Sequence, residues 1–350
     1  MLSTKVVAVD LFCGAGGLTY GLERAGVRVA VGVDVDPHCA YPFEANTKAK
    51  FVCQDVKKLT AAQIESAWGG AKVRALVGCA PCQAFSTYTQ GGRGNRSQRW
   101  VLLNKFADLI EETEPDIVSM ENVTPLQKTD TFRKFVKRLE ALEYDIEYGT
   151  VDCREYGAAQ MRRRLVLLAS RLGPISLKKP THTVEASWAT VREAISHLPK
   201  IAAGEISSRD PLHRTASLTE LNMRRIKASR PGGTWRDWPE KLVAKCHTKK
   251  SGKTYPGVYG RMEWDKPSPT ITGQCYGFGN GRFGHPVQDR ALSLREAAIL
   301  QTFPEDYIFI NGDEKFPGMT NIGRMIGNAV PPLLGRVIGQ SILKHIEGLS

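Results

Sequence analysis

The sequence predicts an α/β protein: a parallel sheet covered by helices on both faces, joined to a second, smaller and more irregular domain. Three observations carry this expectation. Up to residue 172, short apolar β-rich runs alternate with amphipathic helical patterns, as βαβ units do. From 173 to 290 the alternation stops, and Gly, Pro, Trp, Lys and Arg dominate. From 291 helical periodicity returns. The expected boundaries are therefore 1–172, 173–290 and a closing segment, 291–350.

Taken in order, "KVVAVDLF" (5–12) is a continuous apolar run, the form of a strand buried on both faces. "CGAGG" turns the chain into the amphipathic "LTYGLERAG" (18–26), and "VRVAVGVD" (27–34) is the second strand. A helix is expected near 37–46 and a third strand at "AKFVCQDV" (49–56). "VRALVGCAP" (73–81) and "PDIVSMENV" (115–123) are the fourth and fifth strands, separated by a Gly/Arg-rich loop and the helix "LLNKFADLIEET" (102–113). A helix at "TFRKFVKRLEAL" (131–142) leads to strands at "YDIEYGTVD" (144–152) and "RRRLVLLAS" (162–170). Beyond the irregular stretch, "ALSLREAAILQTF" (291–303) is helical, and "NIGRMIGNAVPPLLGRVIGQSILKHI" (321–346) reads as a Gly-punctuated loop and a helix.

With 350 residues, 42% apolar and 24% charged, the chain can bury a sizeable core, which excludes disordered and fibrous classes. No apolar run is long enough to span a bilayer, so no membrane partner is expected. No basic n-region or cleavage site precedes the first strand, so a cytoplasmic protein is expected. Eight scattered cysteines do not form a disulfide framework. The net charge of +12 is concentrated: residues 1–150 carry 0, 151–300 carry +13 and 301–350 carry −1. A basic block of that kind favours a polyanion such as nucleic acid, although any one cluster, such as "KCHTKKSGK" (245–253), is as well read as a solvated loop.

Gly14, Gly16, Gly17 and Gly21 stand at the first strand-to-helix turn, where bare backbone lets a ligand approach a helix N-terminus. About twenty residues on, Asp34 ends the second strand, where an acid can bind a ribose diol, and Asp55 ends the third. These residues suit an adenosine-bearing cofactor, and do not separate hydride from methyl transfer. After the fourth strand comes "CAPCQ", with Cys79 and Cys82. By pattern alone it is a redox dithiol, half of a zinc site, or a single nucleophile beside a bystander.

Four further clusters bear on the choice: "APCQAFS" after the fourth strand, "MENV" (120–123) after the fifth, "QMRRR" (160–164) and "IGNAVP" (326–331). With "DLFCGAGG" and "LREAAILQTFP", they resemble the ordered motifs of the DNA cytosine-5 methyltransferases, over essentially the whole chain. That resemblance implies a Rossmann-like, S-adenosylmethionine-dependent methyltransferase sheet, a target-recognition domain at 173–290, and a closing segment that returns to the catalytic domain. It makes Cys82 the nucleophile, and Cys79, where the family commonly carries glycine, packed filler.

Carbon 5 of cytosine is too weak a nucleophile to take a methyl group unaided, and a thiolate added at carbon 6 makes the ring enamine-like. Resemblance gives that thiolate to Cys82. Glu121 then holds the proton at ring nitrogen 3 and reads the exocyclic amine, while Arg162 and Arg164 lie beside the flipped base and its phosphate. Phe12, Gly14, Gly16 and Gly17 are assigned to the cofactor, Asp34 to its ribose and Asp55 to its adenine amine. Asn328 and the backbone near Val330 complete the pocket. Asp34 replaces a more usual glutamate, and "GRMIGNAV" lacks the glutamine that often precedes this Gly-Asn.

A duplex cytosine must be extruded before it can react. The segment after Cys82, "QAFSTYTQGGRGNRSQRW" (83–100), is expected to be a lid, with Gln83, Ser86 and Arg99 toward the target strand. Arg261, Thr270 and Thr272 are the recognition-domain candidates near the base, whereas Trp235 and Trp238 read as core. The expected protein is a monomeric enzyme acting on double-stranded DNA, of the bacterial or phage restriction-modification type, with a restriction endonuclease acting separately. The alternatives are the same chemistry on tRNA and a decayed DNA-binding relative; the intact Cys82, Glu121 and arginines argue against decay.

Overall fold

The computed structural model describes residues 6–81, 100–249, 252, 254, 256–312 and 315–349. The chain divides into two compact units: Met1–Cys153 with Arg163–Pro180 and Ala329–Ser350, and Arg154–Arg162 with Thr181–Asn328. The stretch 291–328 thus lies in the second unit, and the chain re-enters the first at Ala329. Returning helical periodicity, which suggested a boundary at 291, reports a helix and not the unit against which it packs.

Among the described residues of the first unit, seven strands form one sheet: β1 (Val6–Leu11), β2 (Arg28–Asp34), β3 (Lys50–Cys53), β4 (Val73–Gly78), β5 (Ile117–Val123), β6 (Asp145–Asp152) and β7 (Arg163–Ser170). Their order is β3-β2-β1-β4-β5-β7-β6. The first five strands pair in parallel, whereas β7 runs antiparallel to both β5 and β6. A parallel return needs a crossover of about a dozen residues or more. The link between β6 and β7 is shorter than that, so the chain doubles back.

The helices of this unit are α1 (Gly17–Ala25), α2 (Ala40–Asn46), α3 (Ala61–Trp68), α4 (Val101–Thr113) and α5 (Asp130–Ala141). One sheet face, with Val7, Val9, Leu11, Leu76, Val118, Met120, Leu165 and Leu167, packs against Ile64, Trp68, Phe106, Ile110 and Phe132. Helix α3 was not anticipated; a reciprocal Thr60–Gln63 capping box starts it, and Trp68 Nε1 donates to the Ala75 carbonyl at 3.0 Å.

The second unit holds α6 (Val191–Ile195), α7 (Glu220–Ala228), α8 (Lys245–Thr248), α9 (Leu294–Leu300) and α10 (Met319–Asn328), joined by turns. Its own apolar cluster contains Ile226, Trp235, Trp238, Leu242, Phe278 and Ala291. Helix α10 occupies part of the stretch expected as loop. Its glycines admit a neighbouring segment: a Cβ on Gly327 would fall 2.1 Å from the Thr272 carbonyl carbon. Helix α11 (Pro332–Glu347) closes the chain in the first unit against α1, where a Cβ on Gly21 would meet the Pro332 oxygen at 2.3 Å. Among the described residues, no helix is long and apolar enough to cross a membrane.

Candidate active site

Strand alternation puts a row of polar side chains on one face of the first unit's sheet. Val9 and Leu11 belong to the apolar core, so Asp10 turns the other way. The same alternation turns Glu121 away from Met120 and Arg164 away from Leu165, and Cys79 directly follows β4. Register then brings them together: Gly78 lies beside Met120, and Val123 beside Arg164. Cys79, Glu121 and Arg164 therefore meet where the parallel strands end.

Glu121 is 3% exposed. Its Oε1 lies 3.1 Å from Arg164 Nε, and its Oε2 accepts from the Cys79 thiol at 2.9 Å. A buried carboxylate requires partners of this kind. On the opposite face, Asn122 Nδ2 donates to the Ala80 carbonyl at 3.0 Å, anchoring the chain two residues before Cys82. Cys79, read from sequence as filler, has a polar partner.

The glycine turn is equally specific. Phe12, Gly14 and Gly16 adopt φ values of 61°, 52° and 90°. A Cβ on Gly14 would meet nothing within 4 Å, so backbone conformation, not crowding, calls for glycine there, and the space before it is open. Asp34 shapes the turn, accepting from Gly14 N through Oδ2 and from Asp36 N through Oδ1, each at 2.9 Å. Gly16 caps α1 with no side-chain bond, and Gly17 begins the helix. Asp55 Oδ1 accepts from Lys57 N at 3.0 Å, capping a short turn. Val330 is buried.

Asp10 was not anticipated as a site residue. It is 1% exposed, its Oδ2 accepts from Thr19 Oγ1 at 2.7 Å, and its Oδ1 is buried with no hydrogen-bond partner. Burial pushes its carboxyl up to about 7, against the Thr19 hydrogen bond, with nearby Asp34 adding to the rise. An orphaned carboxylate oxygen, an open glycine turn and an acid at the end of β2 suit a cofactor with a cationic group and a ribose diol.

The other candidates lie in the second unit. Arg162 is 2% exposed, donating from Nη1 to the Ile271 carbonyl at 3.1 Å and from Nη2 to the Gly327 carbonyl at 3.2 Å. Thr270 Oγ1 donates to the Met161 carbonyl, and Thr272 lies against Gly327, so these residues share one junction. Arg261 lies in a different cluster. It is buried and donates to the carbonyls of Ile226, Ser229, His285 and Gln288 and to Asp289. Asn328 is the exposed last residue of α10. Cys82, Gln83, Ser86 and Arg99 lie outside the described residues.

A sheet of this order, with a glycine turn and an acid at the end of β2, is a Rossmann-like architecture for an adenosine-bearing cofactor. The chain superposes on Schizosaccharomyces pombe Dnmt2 methyltransferase with a TM-score of 0.58 at 15% identity, covering 98% of this chain and 99% of that one. A chain encoded within an Escherichia coli prophage gives 0.67 at 22%, with the same coverage. The family model of the C-5 cytosine-specific DNA methylases matches residues 6–344, and the chain belongs to that family. It is 48% identical to the type II methylase M.HgiDII of Herpetosiphon aurantiacus, over 97% of this chain and 96% of that protein. It is 31% identical to the type II methyltransferase M1.HphI of Haemophilus parahaemolyticus, over 96% and 86%. The protein is a DNA cytosine-5 methyltransferase, and S-adenosylmethionine is its methyl donor.

Proposed function

We propose that the enzyme methylates a cytosine turned out of double-stranded DNA, through a transient bond to Cys82, at a sequence read by the second unit. The observation that supports this best is the buried Glu121, held by Arg164 and Cys79 three residues before position 82.

The Cys82 thiolate adds to carbon 6, and the electron pair of the 5,6 double bond becomes available at carbon 5. Glu121 holds the proton at ring nitrogen 3 and accepts from the exocyclic amine. Arg164 fixes the Glu121 carboxyl and meets the target phosphate. When bound, the cofactor would supply an electrophilic methyl group to carbon 5, its sulfonium becoming a neutral thioether. Loss of the carbon 5 proton to water then expels the Cys82 sulfur and restores the double bond.

For the cofactor, Phe12, Gly14, Gly16 and Gly17 form the cradle, Asp34 takes the ribose, Asp55 the adenine amine, and Asp10 the ammonium. The backbone near Val330, where the chain returns to the first unit, adds to the cradle, and Asn328 is kept as a cofactor candidate. Gln83, Ser86 and Arg99 contact the extruded strand, and Thr270 and Thr272 lie near the base. Arg162 and Arg261 act on DNA indirectly, by bracing the second unit, because their guanidinium groups are engaged by carbonyls.

We read it as a monomeric, cytoplasmic enzyme whose restriction endonuclease acts separately; the similarity to type II methylases supports the modification role. Cys82→Ser should abolish methyl transfer while leaving duplex binding largely intact, and DNA carrying 5-fluorocytosine should form a denaturation-resistant adduct with the wild-type enzyme. Substantial turnover by the serine variant would contradict the covalent scheme. Bisulfite sequencing of DNA from expressing cells identifies the target sequence.

A further inference from the structure

The contact between the Cys79 thiol and Glu121 has no counterpart in the motif chemistry. A carboxylate offers about four lone-pair positions on its two oxygens. Arg164 Nε engages Oε1, and Cys79 Sγ engages Oε2. With the arginine contact alone, the carboxyl group retains freedom to turn about its terminal torsion, which is broad and roughly two-fold. The second anchor removes that freedom.

The anchor is tied to the sheet. Cys79 directly follows β4, and its backbone N–H donates to the Leu11 carbonyl at 3.3 Å. One residue on, the Ala80 carbonyl is held by Asn122. The thiol is therefore a fixed point beside β5. Being a weak donor, it leaves the remaining lone pairs of Glu121 to a stronger donor such as the base edge.

We infer that Cys79 is a positioning residue: its thiol sets the orientation in which Glu121 meets the cytosine. This rests on the role proposed above for Glu121. A glycine at this position, common in the family, offers no such anchor.

A double-mutant cycle on the full chain tests it. Unmethylated plasmid DNA that the wild-type enzyme labels with tritiated S-adenosylmethionine is the substrate. Single-turnover methyl transfer is read alongside cofactor affinity by calorimetry and the melting temperature. Cys79→Ala is expected to slow methyl transfer about tenfold, the loss of one modest hydrogen bond, with cofactor affinity unchanged. Cys79→Ser, which keeps a donor, is expected to recover most of the rate. In a Glu121→Gln background, Cys79→Ala is expected to add nothing.

Losses that multiply in the double variant, or a Cys79→Ala enzyme as fast as wild type, overturn the inference. If the alanine variant folds poorly, Cys79→Gly provides the same comparison. Wild-type turnover by Glu121→Gln alone would remove the role of Glu121 and this inference with it, and that outcome is read separately in the single variant.

Discussion

Among the described residues each unit buries one glutamate against an arginine, and the two pairs are built differently. In the second unit Glu296 is the more fully engaged, with three hydrogen bonds on its two oxygens. Arg290 donates Nη1 to Oε2 and Nη2 to Oε1, both at 2.7 Å, and Ser293 N donates to Oε2 at 2.7 Å in the capping box of α9. Burial alone would raise that carboxyl, but Arg290 holds it down at about 2. In the first unit Glu121 is almost as deeply buried, yet one guanidinium nitrogen and one thiol share its two oxygens. Burial is common to both, and spare capacity separates them. A carboxylate most of whose lone pairs are taken up by its own fold is scaffold. One left with room at the end of a strand is available to a substrate.

Removing the more fully engaged pair should have the largest effect. Glu296→Gln leaves the guanidinium of Arg290, itself 0% exposed, without its counter-charge, at a cost of about 3–5 kcal/mol. Denaturant unfolding should register that loss in the second unit. Because the Glu296 carboxyl is held below its ordinary value, its contribution is complete above about pH 4.5 and is lost as the pH falls toward 2. The variant should therefore lack part of the wild-type protein's acid sensitivity. Glu121→Gln should act on the other quantity, slowing methyl transfer by about 10²–10⁴ while moving the melting temperature and cofactor affinity little. The comparison breaks if Glu121→Gln mainly unfolds the protein, or if Glu296→Gln silences a fully stable one.

The sequence reveals these two glutamates unequally, because local pattern and long-range pairing carry different information. Glu121 stands out locally: it ends an apolar run and sits in an ordered set of motifs. The strand succession and the Phe12–Gly17 turn were legible for the same reason, since alternation and glycine placement act within a few residues. Cys79 was misread because its partner depends on the register between β4 and β5, which no local pattern encodes. Arg261 stood in a basic stretch as a candidate for DNA, and only tertiary structure turns its guanidinium onto four carbonyls and Asp289. Helix α3 had a readable start in Thr60 and Gln63, whereas the Gly323–Gly327 spacing of α10 looked like loop punctuation because the segment it accommodates lies far away in sequence.

A third buried carboxyl tests whether spare capacity marks function in general, with a smaller effect. Asp10 has one partnered and one orphaned oxygen, so it belongs with Glu121 and not with Glu296. Its folded-state value of about 7 lies above the ordinary 3.8, so the native protein binds this proton more tightly than the unfolded chain does. Stability should accordingly fall as pH rises from about 4 to about 7, and level off once both states are ionised. Asp10→Asn removes that dependence but introduces an amide whose N–H groups need partners, which gives back about 1–3 kcal/mol. The net gain in cofactor-free protein at pH 8 should be on the order of 1 kcal/mol, disappearing near pH 5. Thermal unfolding at the two pH values measures it. Saturating S-adenosylmethionine should then stabilise the wild type more than the variant, because only the ionised carboxylate gains a cation. Equal stabilisation of both proteins would make Asp10 a tolerated internal defect, and spare capacity would no longer predict a ligand.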